Sequence, residues 1–413
     1  MRLPEKVSLR IALALTLSAV LITVILIFAF EKRMACPRYS TYTIFKEGED
    51  YFAENAEGVI AYSGKDAGVA IQSAINSLKN GGKIFIKSGV YPYSTTLTIT
   101  DDCVEIEGET IGNVGYFGTI LQYTGNSVAL QIGASDSSSP IYFVSIKNLM
   151  IEGSTNAEGG IKSYNAIYMT LESLHIREFY NGYGITVSSK GHFSEVCLLR
   201  NLVLMRVKYG IRFDNENTTN QINYITIDNC NIYGNTTETY QNGSVGIYIA
   251  ADYEDKSERF EISNDITIKD VRLWFFEKGI ENHGYYTRIY NPDFDRGFYF
   301  AIYENGNNTL VVHPRFGADI TNRWHWGGIK TYVIDNDTII PLECRVLVPV
   351  PNGASNITIQ LSRTQEDANY GVSVLPNWST TVYVTMKNTT HFTINFGTPA
   401  GESAKIDWFI YRP

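Results

Sequence analysis

Asp293 and Asp295, in the stretch NPDFD, are two carboxylates that share a face if the chain is extended there. Hydrolysis of a glycosidic bond needs two carboxyl groups flanking it, about 5 Å or roughly 6.5–9.5 Å apart according to the stereochemical outcome. The plainer reading of the same residues is a solvated turn after Pro292. Elimination needs something else: a carboxylate cluster to hold calcium and a base to take a proton. DYEDKSE at 252–258 concentrates acid, and Arg315 is a base candidate. The plainer reading of such a run is an exposed charged loop. The pair Asp101 and Asp102 reads as a turn between strands. The 6 histidines, at 175, 192, 283, 313, 325 and 391, show no metal-ligand spacing. No Ser/His/Asp set is visible along the chain. No metal or cofactor is expected, and calcium enters only if the protein is a lyase.

NRWHWGG at 322–328 offers binding chemistry instead. Extended, it puts Trp324 and Trp326 on one face, an apolar platform of the kind that stacks on sugar rings. Equally, the two indoles could seal an open end of the fold.

The formal net charge of −9, with no Lys/Arg cluster, argues against a nucleic-acid partner. The 5 cysteines, at 36, 103, 197, 230 and 344, form no CxxC pair and read as buried thiols. An oxidising compartment would leave room for one disulfide. Residues 11–30 run for twenty positions without a charge, about the thickness of a bilayer core as a helix. That length favours an uncleaved signal-anchor over a cleavable signal. Arg2, Lys6 and Arg10 precede the span and Lys32, Arg33 and Arg38 follow it, so charge does not orient it. Asn217, Asn235, Asn242, Asn307, Asn336, Asn356, Asn377 and Asn388 each begin an N-x-S/T triplet. They favour an exposed, glycosylated, extracellular body.

Any of these residues must be positioned by strands. One amphipathic helix stands near the start: Asp66 caps it, Ile71, Ala74, Ile75 and Leu78 form its stripe, and Asn80-Gly81-Gly82 ends it. Then a repeat appears. SIKNLMI (145–151), TLESLHI (170–176), LLRNLVL (198–204), ITIDNCNI (225–232) and ITIKDVRL (266–273) are each followed by a Gly-Ile pair. Those glycines stand at 160, 184, 210, 246 and 279. No unit can bury its own apolar face, but stacked coils can, so the repeat predicts a solenoid. Asn148, Ser173, Asn201, Asn229 and Asp270 would fall into register at one turn. Open ends expose strand edges, and a helix laid across the mouth would close one of them.

The run Asp66, Ala70-Ile71-Gln72, Ala74-Ile75, Gly81-Gly82, Ile84, Ile86, Gly89 and Tyr91 resembles the start of the pectate-lyase-like right-handed parallel β-helix superfamily. The resemblance covers roughly residues 50–345. It implies that fold, and a function drawn from polysaccharide lyases, polygalacturonase-type hydrolases and glycan-binding tailspikes. Of the polygalacturonase-type motifs only N-x-D is matched, at Asn291 and Asp293. Gly191-His192 is followed by Phe193, and Gly328-Ile329-Lys330 lacks the expected arginine. Beyond a joint at 345–355, five alternating strands predict a small antiparallel β-sandwich. Their shared core would hold Ile357, Ile359, Val372, Val374, Val382, Val384, Phe392, Ile394, Phe396, Ile406, Trp408 and Ile410. This part is similar to fibre-tip and H-type lectin-like domains, which implies sugar binding and a homotrimer.

The expectation is therefore an all-β chain in three parts. Residues 1–40 are a cytoplasmic stub and transmembrane signal-anchor, 41–345 a parallel β-helix with its capping helix, and 346–413 a β-sandwich. Function is expected as a single-pass, membrane-anchored extracellular protein that recognises surface or matrix polysaccharide. The alternatives are a polysaccharide lyase or glycoside hydrolase, and a structural envelope glycoprotein.

Overall fold

The computed structural model describes residues 41–111, 117–136, 139–215, 221–235, 239–250, 263–326, 331–335, 338–340, 343–361, 364–365 and 367–411. Short strands stack in parallel, coil upon coil, in three main ladders, with a fourth of two-residue strands running from Ile141–Tyr142 to Ser263–Asn264. The first ladder climbs from Gly82–Ile86 through Val104–Gly108, Leu198–Arg200, Thr226–Asp228 and Arg288–Tyr290 to Tyr332–Asp335. Its register never slips. Ile84, Ile106, Ile146, Leu171, Leu199, Ile227, Ile268, Ile289, Val311 and Val333 pair one above another, and each is wholly buried. A second column runs in the same way from Tyr91 to Phe316, and a third from Leu97 through the isoleucines of the Gly-Ile pairs to Trp324. Three apolar columns facing one another make one continuous core.

Two features of the repeat have plain steric causes. The turn between the first two ladders needs a residue in the left-handed region, and Asn148, Ser173, Asn201, Asn229 and Asp270 occupy it with φ of 51–58°. Asn and Asp tolerate that conformation better than other chiral residues. The column also ties itself together: Asn229 Nδ2 donates to Asn201 Oδ1 at 2.8 Å, and Asn291 Nδ2 to Asp270 Oδ1 at 2.8 Å. The glycine of each Gly-Ile pair is required by the coil above. A Cβ at Gly210 would sit 2.3 Å from the carbonyl oxygen of Gly246, and one at Gly246 would sit 2.5 Å from that of Gly279.

Helix α1 (Ala67–Ser77) closes the N-terminal end. Asp66 Oδ1 accepts from the Val69 amide at 3.0 Å, and Ala70, Ile71, Ala74 and Ile75 are buried. Gln72 does more than fill space. Its Nε2 donates to the Thr98 carbonyl at 2.9 Å and its Oε1 accepts from the Thr98 amide at 2.8 Å. One side-chain amide thus does for the edge strand Leu97–Ile99 what a neighbouring backbone would do.

At the other end the aromatics Phe316 and Trp324 pack edge to face at 5.3 Å on the last rung of the core. Beyond it lie two three-stranded antiparallel sheets. All twelve residues expected to share a core in this segment belong to one apolar cluster.

The expected transmembrane element is corrected here. Among the described residues no helix is long and apolar enough to cross a membrane, and residues 11–30 lie outside the described residues. The apolar length that suggested the anchor has no counterpart in the described fold. The membrane partner, the signal-anchor and the single-pass localisation are dropped with it. Cys103 is disulfide-bonded, its partner's side chain lying outside the described residues. Cys197 and Cys230 are buried free thiols, and burial pushes both up to about 12, which leaves them unreactive.

Candidate functional site

The inward isoleucines of the third ladder dictate what faces outward, because neighbours on a strand alternate. The residue after each Gly-Ile pair therefore points away from the core, although Thr186 and Glu281 are themselves buried there. These residues form their own ladder: Lys162, Thr186, Arg212, Tyr248 and Glu281, continued by Tyr303 and His325. Around its middle lies a cavity of about 280 Å³ lined by Tyr209, Arg212, Gly243, Ser244, Val245, Tyr248, Glu277, Lys278 and Glu281. One wall is fastened in place. Ser244 Oγ accepts from the Glu277 amide at 3.0 Å, and the Gly243 amide donates to the Glu277 carboxylate.

Arg212 crosses the floor. Its Nη2 donates to Asp214 Oδ2 at 2.9 Å, and its guanidinium lies 5.0 Å from the Tyr209 ring and 5.8 Å from the Tyr248 ring. Its Nε is buried without a protein partner. Two rungs on, Lys278 Nζ donates to Glu281 Oε1 at 2.6 Å, and His283 Nε2 lies 3.1 Å from the same oxygen. The His283 ring is 6.0 Å from that of Tyr248. Lys278 also sits 4.1 Å above the Tyr303 ring, which stacks on His325 at 4.0 Å.

Burial alone would raise the Glu281 carboxyl. Its hydrogen bonds from His283 and Lys278, with their charges, outweigh that and hold it below the ordinary value. Tyr248 moves up, through burial first and then the Glu281 charge, so its phenol stays protonated beyond the ordinary range. His325 moves down, through burial first and then Lys278. A carboxylate accepts only, so Nε2 is the nitrogen that donates to Glu281, and in the neutral imidazole the lone pair is then on Nδ1. The site thus sets a protonated phenol beside a carboxylate-held imidazole, between two cations.

The residues singled out from sequence stand elsewhere. Asp293 lies on the second ladder, 2.7 Å from Arg272 and 3.7 Å from Arg315. Asp295 lies 3.3 Å from Arg296, at a bulge where the pairing steps from Phe294 to Arg296. Trp324 continues the inward isoleucine column and packs on the core. Trp326 pairs with Glu304 through its backbone, and its side chain lies outside the described residues. The acidic run 252–258 also lies outside them. Among the described residues no three acids, cysteines or histidines are grouped to hold a metal. Of the glycosylation triplets, Asn242 and Asn356 are exposed. Asn307 is half-buried, and Asn217 and Asn336 lie outside the described residues. Asn235 donates from Nδ2 to the Tyr180 carbonyl at 3.2 Å, and Asn377 to the Ser403 carbonyl at 3.1 Å. Asn388 accepts from the amides of Thr390 and His391.

Sequence reasoning passed over Arg212, Tyr248, Lys278, Glu281 and His283. The signal was present in the position after each Gly-Ile.

No protein-family model matches the sequence, and no curated protein matches it. Among solved structures it is similar to ORF18 of Geobacillus virus E2, at 11% identity and TM-score 0.41 over 82% of this chain and 74% of that one. It is similar to an alginate lyase from Paenibacillus sp. str. FPU-7, at 12% identity and TM-score 0.39 over 63% of this chain and 96% of that one. A tailspike from Acinetobacter baumannii bacteriophage Fri1, a capsular polysaccharide depolymerase, gives 9% identity and TM-score 0.36 over 83% and 82%. Likeness at this level carries no argument about what this chain does.

Proposed function

We propose that this protein binds an acidic polysaccharide on its third ladder and cleaves it by β-elimination. The observation that carries the reading is the rung of Tyr248, with Arg212 on one side and His283, held by Glu281, on the other. Arg212 and Lys278 would neutralise a uronate carboxylate, which makes the neighbouring C5 proton easier to remove. His283 Nδ1 takes that proton. The C5–H electron pair becomes the C4–C5 double bond, the C4–O bond breaks, and the leaving oxygen takes its proton from the Tyr248 hydroxyl. Atoms balance without a metal, water or oxidant.

The test is incubation of the full chain with a panel of uronate-containing polysaccharides. Unsaturated uronate is followed by ultraviolet absorbance and mass spectrometry. His283→Ala and Tyr248→Phe should each slow product formation by about 10²–10⁴-fold. No product from any acidic glycan would sink the reading. Saturated products would mark hydrolysis instead and turn attention to the carboxylates Asp293 and Asp295. Asn242 and Asn356 are the triplets most open to modification, which glycopeptide mass spectrometry of the protein would report.

A further inference from the structure

We infer that a second glycan-binding surface runs beside the fourth ladder, where Tyr168, Tyr224 and Tyr286 stack on the sugar faces of a neutral, extended, β-1,4-linked chain lying along the coil axis. None of its residues lines the third-ladder cavity, and it does not depend on elimination there. Two turns of this solenoid share one backbone shape and fill it differently. Between the first and second ladders the left-handed position holds Asn148, Ser173, Asn201, Asn229 and Asp270. At the turn that leaves the fourth ladder φ is again 51–58°, yet the residues are Phe143, Tyr168, Val196, Tyr224, Asp265, Tyr286 and Asn308. Bulky and β-branched residues are outliers in that region. Asn would serve this turn at less cost, as it does in the other column. Backbone strain of this kind collects where function requires it.

The column is in continuous register. The amides of Tyr168, Val196, Tyr224, Asp265 and Tyr286 each donate to a carbonyl on the next coil, at 2.9–3.2 Å. The strands before them pair in the same order. These side chains are not spent on the core: Tyr168 and Tyr286 are 40% exposed, Val196 43% and Tyr224 60%. Phe143 stacks on Tyr168, with centroids 4.9 Å apart and planes 4° from parallel, and widens the first platform. Tyrosine then recurs on alternate rungs, with Val196 and Asp265 between. Rungs are about 4.8 Å apart, so the three tyrosines repeat about every 9.6 Å. That is close to the advance of a disaccharide in an extended chain. Successive sugars of a β-1,4-linked chain are flipped, so the same face returns with each disaccharide and meets each tyrosine alike. Charge selects a neutral chain. The acids on these rungs are Glu195 and Asp265, and Asp265 accepts from Arg288 Nη1 at 2.8 Å. A polyuronate would bring its carboxylates against both, a like-charge contact that a neutral chain avoids.

The test is calorimetric binding of cellohexaose and of chitohexaose to the full chain, with thermal melting of each variant alongside. At least one hexaose should bind, and cellobiose, which reaches a single ring, should bind at least about tenfold more weakly than cellohexaose if that is the one bound. Tyr224→Asn should weaken the bound hexaose about tenfold, the loss of one stacked ring, and Tyr224→Phe should bind like the parent. Tyr224→Asn should also melt no earlier than the parent, because Asn suits the left-handed turn. Arg212→Gln, on the third ladder, should leave hexaose binding unchanged. Binding of neither hexaose would overturn the inference. So would a Tyr224→Asn protein that binds like its parent, or loss of hexaose binding in Arg212→Gln, which would place the sugar in the third-ladder cavity. A Tyr224→Asn protein that melts earlier would show that the ring serves the fold, and would overturn it as well. Each of these results leaves the elimination reading intact, since that reading is judged by unsaturated uronate from acidic glycans. Failure of the acidic panel leaves this surface intact in turn.

Discussion

At the scale of residues, the site depends on one carboxylate doing two tasks. Glu281 orients His283 and positions Lys278, with 3.1 and 2.6 Å contacts to a single oxygen. Its carboxyl is held below the ordinary value of 4.5. A depressed carboxyl stabilises the fold above its unfolded value, and that contribution is lost as pH falls through the lower folded value. Denaturant unfolding from about pH 6 down to about pH 3 should show the parent losing stability over Glu281→Gln in acid, so that the two converge. A constant difference across that range would show that Glu281 is not ion-paired as described. Close approach supplies a second residue-scale prediction. Gly210→Ala drives a Cβ to 2.3 Å from a backbone oxygen that cannot retreat without parting two coils. It should cost about 1–3 kcal/mol or more by urea unfolding. Gly401→Ala meets nothing within 4 Å and should change stability by less than about 0.5 kcal/mol.

At the scale of elements, each end of the stack is closed by a different device. The N-terminal end uses α1, and within it Gln72, whose amide satisfies both backbone groups of Thr98. Gln72→Leu keeps the apolar packing but leaves a part-buried donor and acceptor unmatched. The expected loss is about 1–3 kcal/mol for each group, together with faster hydrogen exchange at the Thr98 amide. Slow exchange in the variant would mean that the edge finds another partner. The interior columns behave as repeats, in which each rung completes its neighbours. Ile227→Ala opens a gap in the middle of the first column, where exposure is 0%. It should cost about 2–5 kcal/mol, and protection from exchange should fall first in the rungs of Leu199 and Ile268, its neighbours above and below.

At the scale of the whole molecule, the β-helix supplies one apolar cluster and the terminal strands supply a separate one. The strand Glu343–Pro349 pairs with Lys405–Tyr411, and Val350 belongs to the terminal apolar cluster. We therefore propose that the boundary expected at residue 345 falls just before Glu343. Limited proteolysis should cut at 341–342 and release a core that still melts cooperatively; loss of both parts together would refute two units. Pairing of Arg212 and Lys278 with a uronate predicts that salt weakens glycan binding.

The sequence by itself determined the coils. Apolar residues at alternate positions, Asn or Asp at one turn and Gly-Ile at another recur because every rung meets the same steric demands. Asn201 and Gly210 were legible because each satisfies a local rule: a left-handed turn for one, a carbonyl too near for the other. Gln72 was visible as part of a motif, although its pairing with Thr98 was not. The site was hidden because its members lie on different coils. Arg212, Tyr248 and Glu281 are each unremarkable in their own segment and become neighbours only when register stacks them. Asp293 and Asp295 drew notice because they are close in the chain, yet the fold surrounds them with Arg272, Arg315 and Arg296. In a solenoid the period is written along the sequence, but a functional site runs across it, and only the tertiary structure decides which side chains meet.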